Sequence, residues 1–119
     1  MAIAGKLADT LGRRKVIIAA APTTSFPEEI GGVRNWDYRF AWIRDASFTS
    51  QALFHLGHVE EAKKFIEWIE NIIKQDKDPS RIQIMYGLHG QTKLKESSLN
   101  NLSGYRFSAP VRTGNAASK

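Results

Sequence analysis

The residues best suited to chemistry lie in one segment of the chain, which runs from Gly31 to Ser47. Within it, aromatic rings lie beside arginine and aspartate side chains, the most prominent being Trp36, Tyr38, Phe40, Trp42, Arg44 and Asp45. Aromatic faces can stack on the C–H faces of a pyranose ring, and charged planar groups hydrogen-bond to its hydroxyls. A plain core segment would lack the charges and a plain surface would lack the rings, so this mixture is typical of a sugar-binding site.

Other kinds of active site have little support in the sequence. There is no cysteine, which excludes disulfides, thiolate metal sites and cysteine nucleophiles. His55 and His58 are three residues apart, but no third ligand follows in a fixed pattern, so we predict no metal site and no cofactor. Glu28 and Glu29 are not expected to act as a catalytic pair, because adjacent side chains usually point apart.

The charge balance of the 119-residue chain is modestly basic, since 17 Lys and Arg against 12 Asp and Glu give a net charge of +5. These charges are dispersed, and the densest cluster, at 13–15, is too short for a nucleic-acid-binding arm. The apolar run at 16–21 is shorter than the roughly 7–15 residues of a secretory h-region or the about 20 of a membrane span. We therefore expect a cytoplasmic chain that binds neither nucleic acid nor membrane.

A helical hairpin is predicted to position the aromatic segment. Its first helix covers about residues 45–56, where Phe48, Ala52 and Leu56 recur at four-residue spacing and form an apolar stripe. Gly57 follows as a left-handed stop. Asp45 would then lie near the N-terminus of this helix.

The second helix of the hairpin covers about residues 59–75 and has the clearest periodicity in the chain. Charged residues occupy one of its faces, and apolar residues occupy the other, namely Ala62, Phe65, Ile66, Ile69, Ile72 and Ile73. Short strands are expected near 16–20, which is apolar and β-branched, and near 81–86, where polar and apolar residues alternate.

Several blocks, in order along the chain, resemble glycoside hydrolase family 15, which contains glucoamylases, glucodextranases and some microbial trehalases. The resemblance covers about residues 17–117, so 1–16 are an unmatched N-terminal segment and 17–119 resemble part of the family's catalytic domain. The blocks are Ala-Pro-Thr-Thr-Ser-Phe-Pro-Glu-Glu at 21–29, Arg-Asn-Trp-Asp-Tyr-Arg at 34–39, Trp-Ile-Arg-Asp-Ala-Ser-Phe-Thr at 42–49, Gln-Ile-Met-Tyr-Gly at 83–87, and Gly-Tyr at 104–105 with Pro-Val-Arg at 110–112 and Gly-Asn-Ala-Ala at 114–117.

This resemblance implies a mainly α fold, namely a fragment of an (α/α)6 barrel. It also implies inverting hydrolysis of terminal α-linked glucose, for which an acid and a base stand roughly 6.5–9.5 Å apart. In the family both catalytic glutamates lie downstream of the block at 114–117, and neither has a counterpart here. We therefore assign no catalytic residue and expect this chain to be a truncated one that is inactive by itself.

The resemblance further implies five substrate-binding residues. Arg44 and Asp45 match the pair that grips the terminal glucose, although an aspartate stabilising the helix start beside an incidental arginine is the alternative. Tyr38 and Trp42 match aromatic residues that line the same subsite, with core packing as the alternative. Arg112 matches a position near the site, where packing or ion pairing would serve equally well.

Three functions remain open at this point. The leading one is a glucan 1,4-α-glucosidase (glucoamylase), whose partner would be a glucose-containing oligosaccharide if the site were completed. The first alternative is a trehalase-type hydrolase of the same family. The second is a small non-catalytic module for carbohydrate binding or protein interaction. Helix faces left exposed in half a barrel would also favour self-association or a partner chain.

Overall fold

Helices make up most of the regular structure, as the family resemblance implied. The computed structural model describes residues 18–75 and 78–118. In chain order its strands and helices are β1 (Phe40–Trp42), α1 (Ile43–His55), α2 (Val59–Gln75), β2 (Met85–Gly87), β3 (Ser97–Ser98) and β4 (Arg112–Thr113), with 3-10 turns at Pro79–Arg81, Tyr105–Phe107 and Ala116–Ser118. The architecture is that of a helical hairpin with short antiparallel strands, consistent with a piece of a helical barrel. None of the described helices is long and apolar enough to cross a membrane.

Helix α1 begins where the extended backbone of Trp42 turns into the helix, two residues earlier than the sequence predicts. It ends at Gly57, whose φ of 85° lies in the left-handed region. Gly57 N–H donates to the Phe54 carbonyl at 3.0 Å, and His58 N–H donates to the Leu53 carbonyl at 2.8 Å. These are the two hydrogen bonds of a Schellman motif, so the predicted left-handed stop is confirmed.

The two helices pack through small side chains on α1 and larger ones on α2. Ala46 and Ser50 are the buried residues of α1, while Ala62, Phe65 and Ile72 are those of α2. The Ser50 hydroxyl donates to the Ala62 carbonyl at 3.4 Å across the interface. Small residues allow the two backbones to approach closely, and the bulk that fills the interface comes from α2.

The predicted apolar stripe of α1 is not the face that packs. Phe48 is 65% exposed and Leu56 is 74% exposed, and Ala52 between them is exposed as well. Periodicity correctly identified an apolar face of the helix, but the contact with α2 selected the neighbouring face that carries Ala46 and Ser50. The stripe therefore remains on the surface of the described structure.

Strands β1 and β2 form an antiparallel ladder that pairs Phe40 with Gly87, Ala41 with Tyr86, and Trp42 with Met85. The strand predicted at 81–86 is therefore displaced, since only its last two residues belong to β2. The local reason is Asp78, because its side chain accepts from the Ser80 N–H and its carbonyl accepts from the Arg81 N–H. Those bonds hold the backbone in a 3-10 turn instead of a strand.

The strand predicted near 16–20 falls partly outside the described residues, together with the unmatched segment 1–16. The described part, residues 18–20, does not form a strand. The chain nevertheless runs beside β1, because Ala20 N–H donates to the Phe40 carbonyl at 2.9 Å and Ala21 N–H donates to the Tyr38 carbonyl at 3.0 Å.

The core lies between the β1–β2 ladder and helix α2. Ala41 and Met85 are fully buried in the ladder, and Tyr86 is nearly so. The Trp68 ring of α2 meets the Tyr86 ring edge-on at 6.5 Å between centroids, and it also lies 6.0 Å from the Phe65 ring. The ladder thus packs against α2 through Tyr86 and leads directly into the start of α1.

Candidate functional site

The start of α1 places Arg44 and Asp45 on a firmly held backbone. Trp42 is the last residue of β1, and its neighbour Ile43 donates its N–H to the Ile84 carbonyl at 3.0 Å. The helix begins immediately afterwards, so Arg44 and Asp45 lie in its first turn. A carboxylate there interacts favourably with the positive end of the helix dipole.

Arg44 and Asp45 form an exposed ion pair. The Arg44 Nη2 lies 3.2 Å from Asp45 Oδ2 and 3.4 Å from Oδ1, and the two side chains are 73% and 50% exposed. An ion pair this open contributes little to stability. The guanidinium keeps further N–H donors and the carboxylate keeps acceptor positions, so the pair can offer both to adjacent hydroxyls of a ligand.

Tyr38 and Trp42 lead into this pair along the chain. Both side chains are half-buried. Within β1, side chains alternate between the two faces of the ladder, so Trp42 lies on the face opposite the fully buried Ala41. A ring that is only partly buried leaves some of its surface accessible to a ligand, which suits a sugar-stacking role.

Arg112 lies in a different cluster, on β4. Its Nη1 donates to Glu96 Oε1 at 2.8 Å and its Nη2 donates to the Val33 carbonyl at 2.7 Å. Its guanidinium also covers the Trp36 ring, with Cζ 4.8 Å from the ring centroid. The hydrogen bond from Arg112 holds the pKa of Glu96 below its ordinary value. These contacts include an ion pair and ring packing, and the substrate-binding role of Arg112 stays a prediction.

Asp37 is a carboxylate with no exposed surface. The Arg39 side chain donates to it twice, from Nε at 2.8 Å and from Nη2 at 2.7 Å. The backbone N–H groups of Arg39 and Gly114 donate to it as well, at 3.2 Å and 3.0 Å. Burial by itself raises the pKa of Asp37, but the hydrogen bonds from Arg39 and Gly114 outweigh it and hold the pKa below its ordinary value. Asp37 is therefore a charged anchor inside the fold.

Asparagine side chains connect the segment at 35–39 with the segment at 110–115. Asn35 donates from Nδ2 to the Pro110 carbonyl at 3.2 Å and accepts at Oδ1 from the Arg112 N–H at 2.8 Å. Asn115 donates from Nδ2 to the Asp37 carbonyl at 3.5 Å. These bonds connect residues 75 to 78 positions apart.

The predicted site residues thus fall into two groups. One group follows the chain from the loop before β1 into α1 and consists of Tyr38, Trp42, Arg44 and Asp45. Arg112 belongs to the other group, in which the segments at 35–39 and 110–115 are hydrogen-bonded to each other around Asp37; we call this cluster the anchor. Sequence reasoning assigned no partners to Asn35 and Asp37. The one available signal was the Asp-x-Arg spacing of Asp37 and Arg39, which allows a carboxylate and a guanidinium to meet locally.

Comparison with known proteins identifies the family. A sequence model of glycosyl hydrolases family 15 matches residues 15–119. The chain belongs to this family. Curated relatives of this family-15 chain include a trehalase of Mycolicibacterium smegmatis, 46% identical over 101 residues, which are 84% of this chain and 15% of the relative. No solved structure matches the chain.

Two archaeal relatives are similar to a comparable extent. A trehalase of Thermoplasma volcanium is 44% identical over 101 residues, covering 85% of this chain and 16% of the relative. Trehalase 1 of Sulfolobus acidocaldarius is 43% identical over 98 residues, covering 82% and 17%. The family-15 chain thus spans about one-sixth of the length of these relatives. Their shared name corresponds to the first alternative of the sequence analysis, not to its leading glucoamylase interpretation.

Within residues 18–75 and 78–118 of this family-15 chain, no group of three or more His, Asp or Glu side chains is arranged to hold a metal ion. Glu28 and Glu29 are engaged with neighbours. Arg34 Nε lies 2.9 Å from Glu28 Oε2, Arg34 Nη2 lies 3.7 Å from Glu29 Oε1, and the Trp36 indole N–H donates to Glu28 at 2.9 Å. Glu28 and Glu29 thus connect the loop that precedes the aromatic segment to Arg34 and Trp36.

Proposed function

We propose that Tyr38, Trp42, Arg44 and Asp45 form part of the glucose-binding subsite of a family-15 hydrolase that acts on terminal α-linked glucose. The observation that carries this proposal is the Arg44–Asp45 ion pair, which is exposed and lies in the first turn of α1. Family membership supplies the class of substrate, and the geometry supplies the groups that would hold it.

The chemistry of the pair suits a vicinal diol. One sugar hydroxyl can accept a hydrogen bond from the guanidinium while its neighbour donates to the carboxylate, so both charged groups exchange water for the sugar. Hydrogen bonds to charged groups are stronger than those between neutral groups. The half-buried Trp42 ring would limit where the pyranose can lie beside the pair.

The names of the relatives favour trehalose over starch-type glucans as the substrate. Three proteins that are 43 to 46% identical to this chain are named trehalases. Trehalose presents a terminal glucose at each end, so a subsite built for a terminal glucose fits it without modification. We accordingly propose a trehalase-type specificity for the protein that contains this site.

The role proposed for these residues is binding and orientation of the sugar. Inverting hydrolysis also needs an acid and a base carboxylate roughly 6.5–9.5 Å apart. Asp37 is excluded from that role because it is buried and bound by Arg39 and Gly114. Asp45 is assigned to the sugar hydroxyls, from which its exposed carboxylate can accept hydrogen bonds.

The proposal predicts that trehalose perturbs the backbone amide signals of residues 42–46 in an NMR titration of the isotope-labelled chain. Asp45→Asn removes the charged acceptor, and Arg44→Lys keeps the charge but removes the planar fork. Each should weaken trehalose binding by about tenfold or more. The dissociation constants are read from the titration curves.

The matched control is Glu70→Gln on α2. Glu70 forms an equally exposed ion pair with Lys74 at 3.0 Å, so its loss should leave sugar binding unchanged. If Asp45→Asn bound trehalose with unaltered affinity, the proposed subsite would be contradicted. Tighter binding of maltose than of trehalose would instead favour the glucoamylase interpretation.

A further inference from the structure

A pocket on the described surface has a lining that is separate from the Arg44–Asp45 pair. It has a volume of about 330 Å³ and is formed by the loop at 23–27 and the segment at 105–111. This volume lies within the range of small-molecule pockets, about 300–1,000 Å³. None of the residues proposed for the glucose subsite lines it.

The lining of this pocket combines aromatic rings with hydroxyl groups. Phe26 and Tyr105 provide the rings, and Thr23, Thr24 and Ser25 provide hydroxyls from the loop that also carries Phe26. None of the described lining residues carries a charge. An uncharged lining offers no compensation for a desolvated ion, so the pocket suits a neutral ligand that has both apolar faces and hydroxyls.

The two rings form a pair and remain accessible to solvent. Their centroids are 4.9 Å apart with planes tilted by 59°, and Phe26 is 73% exposed while Tyr105 is 46% exposed. The guanidinium of Arg106 lies 5.5 Å from the Tyr105 ring centroid and further restrains that ring. Exposed rings held in a fixed orientation provide a stacking surface for the C–H face of a pyranose.

Hydrogen bonds fix the loop that carries the hydroxyls. Ser25 N–H donates to the Trp36 carbonyl at 2.7 Å, and its hydroxyl accepts from the Trp36 N–H at 2.8 Å. Thr24 forms an antiparallel bridge with Asp37. This side of the pocket is therefore attached to the same anchor that contains the buried Asp37.

Hydrogen bonds also fix the other wall of the pocket, which is the segment at 105–111. Ser108 accepts at its hydroxyl from the Gly31 N–H at 2.8 Å, and Ala109 N–H donates to the Gly32 carbonyl at 3.0 Å. Since both walls are held before any ligand arrives, binding requires little ordering of the protein.

We propose that this pocket is a second binding site for a neutral sugar, with the ring stacked on Phe26 and Tyr105 and its hydroxyls bound by Thr23 and Thr24. The proposal is independent of the glucose subsite at Arg44 and Asp45, because the two share no residue. A second site would hold an additional sugar unit or a second ligand molecule on the same chain.

The test is an NMR titration of the isotope-labelled 119-residue chain with glucose and with trehalose, using glycerol as a non-cyclic polyol probe. The sugars should shift the amide signals of residues 23–26 and 105–109, and glycerol should not. Phe26→Ala should weaken this second binding event by about tenfold. Because Phe26 is largely exposed, its removal should leave the folded spectrum intact.

Two further variants separate the sites. Phe48→Ala removes a similarly exposed ring on α1 and should not change sugar binding. Asp45→Asn should leave the shifts at 23–26 and 105–109 in place, so a failure of the glucose subsite is distinguishable from a failure of this one.

The proposal is overturned if glucose and trehalose leave these amides unshifted, if glycerol shifts them equally, or if Phe26→Ala binds as the unmodified chain does. Thr24→Val, which removes a hydroxyl and keeps the shape, should weaken binding too, and an unchanged affinity would also count against the proposal.

Discussion

Asp37 and Asp45 lie in the same segment and have opposite surroundings. Asp37 has no exposed surface and accepts hydrogen bonds from Arg39 and Gly114. Asp45 is half exposed, and its described partner is the adjacent Arg44. A buried carboxylate must be fully compensated by its neighbours, whereas an exposed one can exchange water for a ligand. The same residue type therefore serves as an anchor at one position and as a candidate binding group at the other.

Replacing Asp37 by Asn should lower the free energy of unfolding by about 2–4 kcal/mol. The amide loses the negative charge that compensates Arg39, and its NH2 group faces N–H donors from Arg39 and Gly114. Chemical denaturation followed by circular dichroism gives the value. Asp45→Asn is the control and should change stability little, so equal losses in the two variants would contradict the anchor role.

The Asp37→Asn variant should also alter the dependence of the free energy of unfolding on pH. Because hydrogen bonds hold the folded-state pKa of Asp37 below its ordinary value, its contribution to stability is present above the ordinary pKa of an aspartate. That contribution is lost as pH falls through the lower folded pKa. Asp37→Asn should therefore flatten the acid side of the stability profile. Part of the slope should remain, since the pKa values of Glu96 and Asp78 are lowered as well.

At the scale of elements, the α1–α2 hairpin depends on where α1 stops. Gly57 closes the Schellman motif with a positive φ, and the chain then turns directly into α2 at Val59. The turn aligns Ala46 and Ser50 with the buried face of α2. A later stop would rotate α2 relative to α1 and change which face is covered.

Replacing Gly57 by Ala should lower the free energy of unfolding by about 1–2 kcal/mol, because a Cβ disfavours the left-handed region. No steric contact adds to this cost, since a Cβ built at Gly57 meets nothing within 4 Å. Thermal denaturation measures the loss. Gly57→Asn should cost less, because asparagine tolerates this backbone conformation. Equal stability of the Ala variant and the unmodified chain would mean that the turn does not need the positive φ.

At the scale of the whole molecule, the hairpin has apolar residues on its outer surface. Phe48, Phe54, Leu56 and Ile66 are all large and exposed. Exposed apolar side chains of this size can mark an interaction site. We propose that this surface is a contact surface.

We expect the 119-residue chain to self-associate weakly through this surface. Sedimentation velocity should show an average mass that rises with protein concentration, and combining Phe48→Ser with Leu56→Ser should suppress the rise. Ile30→Ser is the control, because Ile30 is similarly exposed but lies in the loop before the aromatic segment. A concentration-independent monomer would contradict this expectation.

Several local features were predictable because their causes are local. The bounds of α2 agree with the predicted 59–75 because apolar spacing and opposed charges repeat along one helix. Gly57 was predictable because few residues accept its backbone conformation. The strand at 81–86 was displaced because the Asp78 side chain and carbonyl captured backbone N–H groups, and such competition is hard to see in an alternating pattern.

By itself, the sequence determined the family, the two helices, the left-handed stop and the segment that carries the candidate sugar-binding residues. Tertiary structure alone decided which face of α1 is buried, that Arg112 pairs with Glu96, and that Asp37 is an anchor. The reason is physical. Helix periodicity and turn conformation arise from neighbouring residues, whereas burial and charge compensation depend on groups 77 positions away, such as the Gly114 N–H that completes the environment of Asp37.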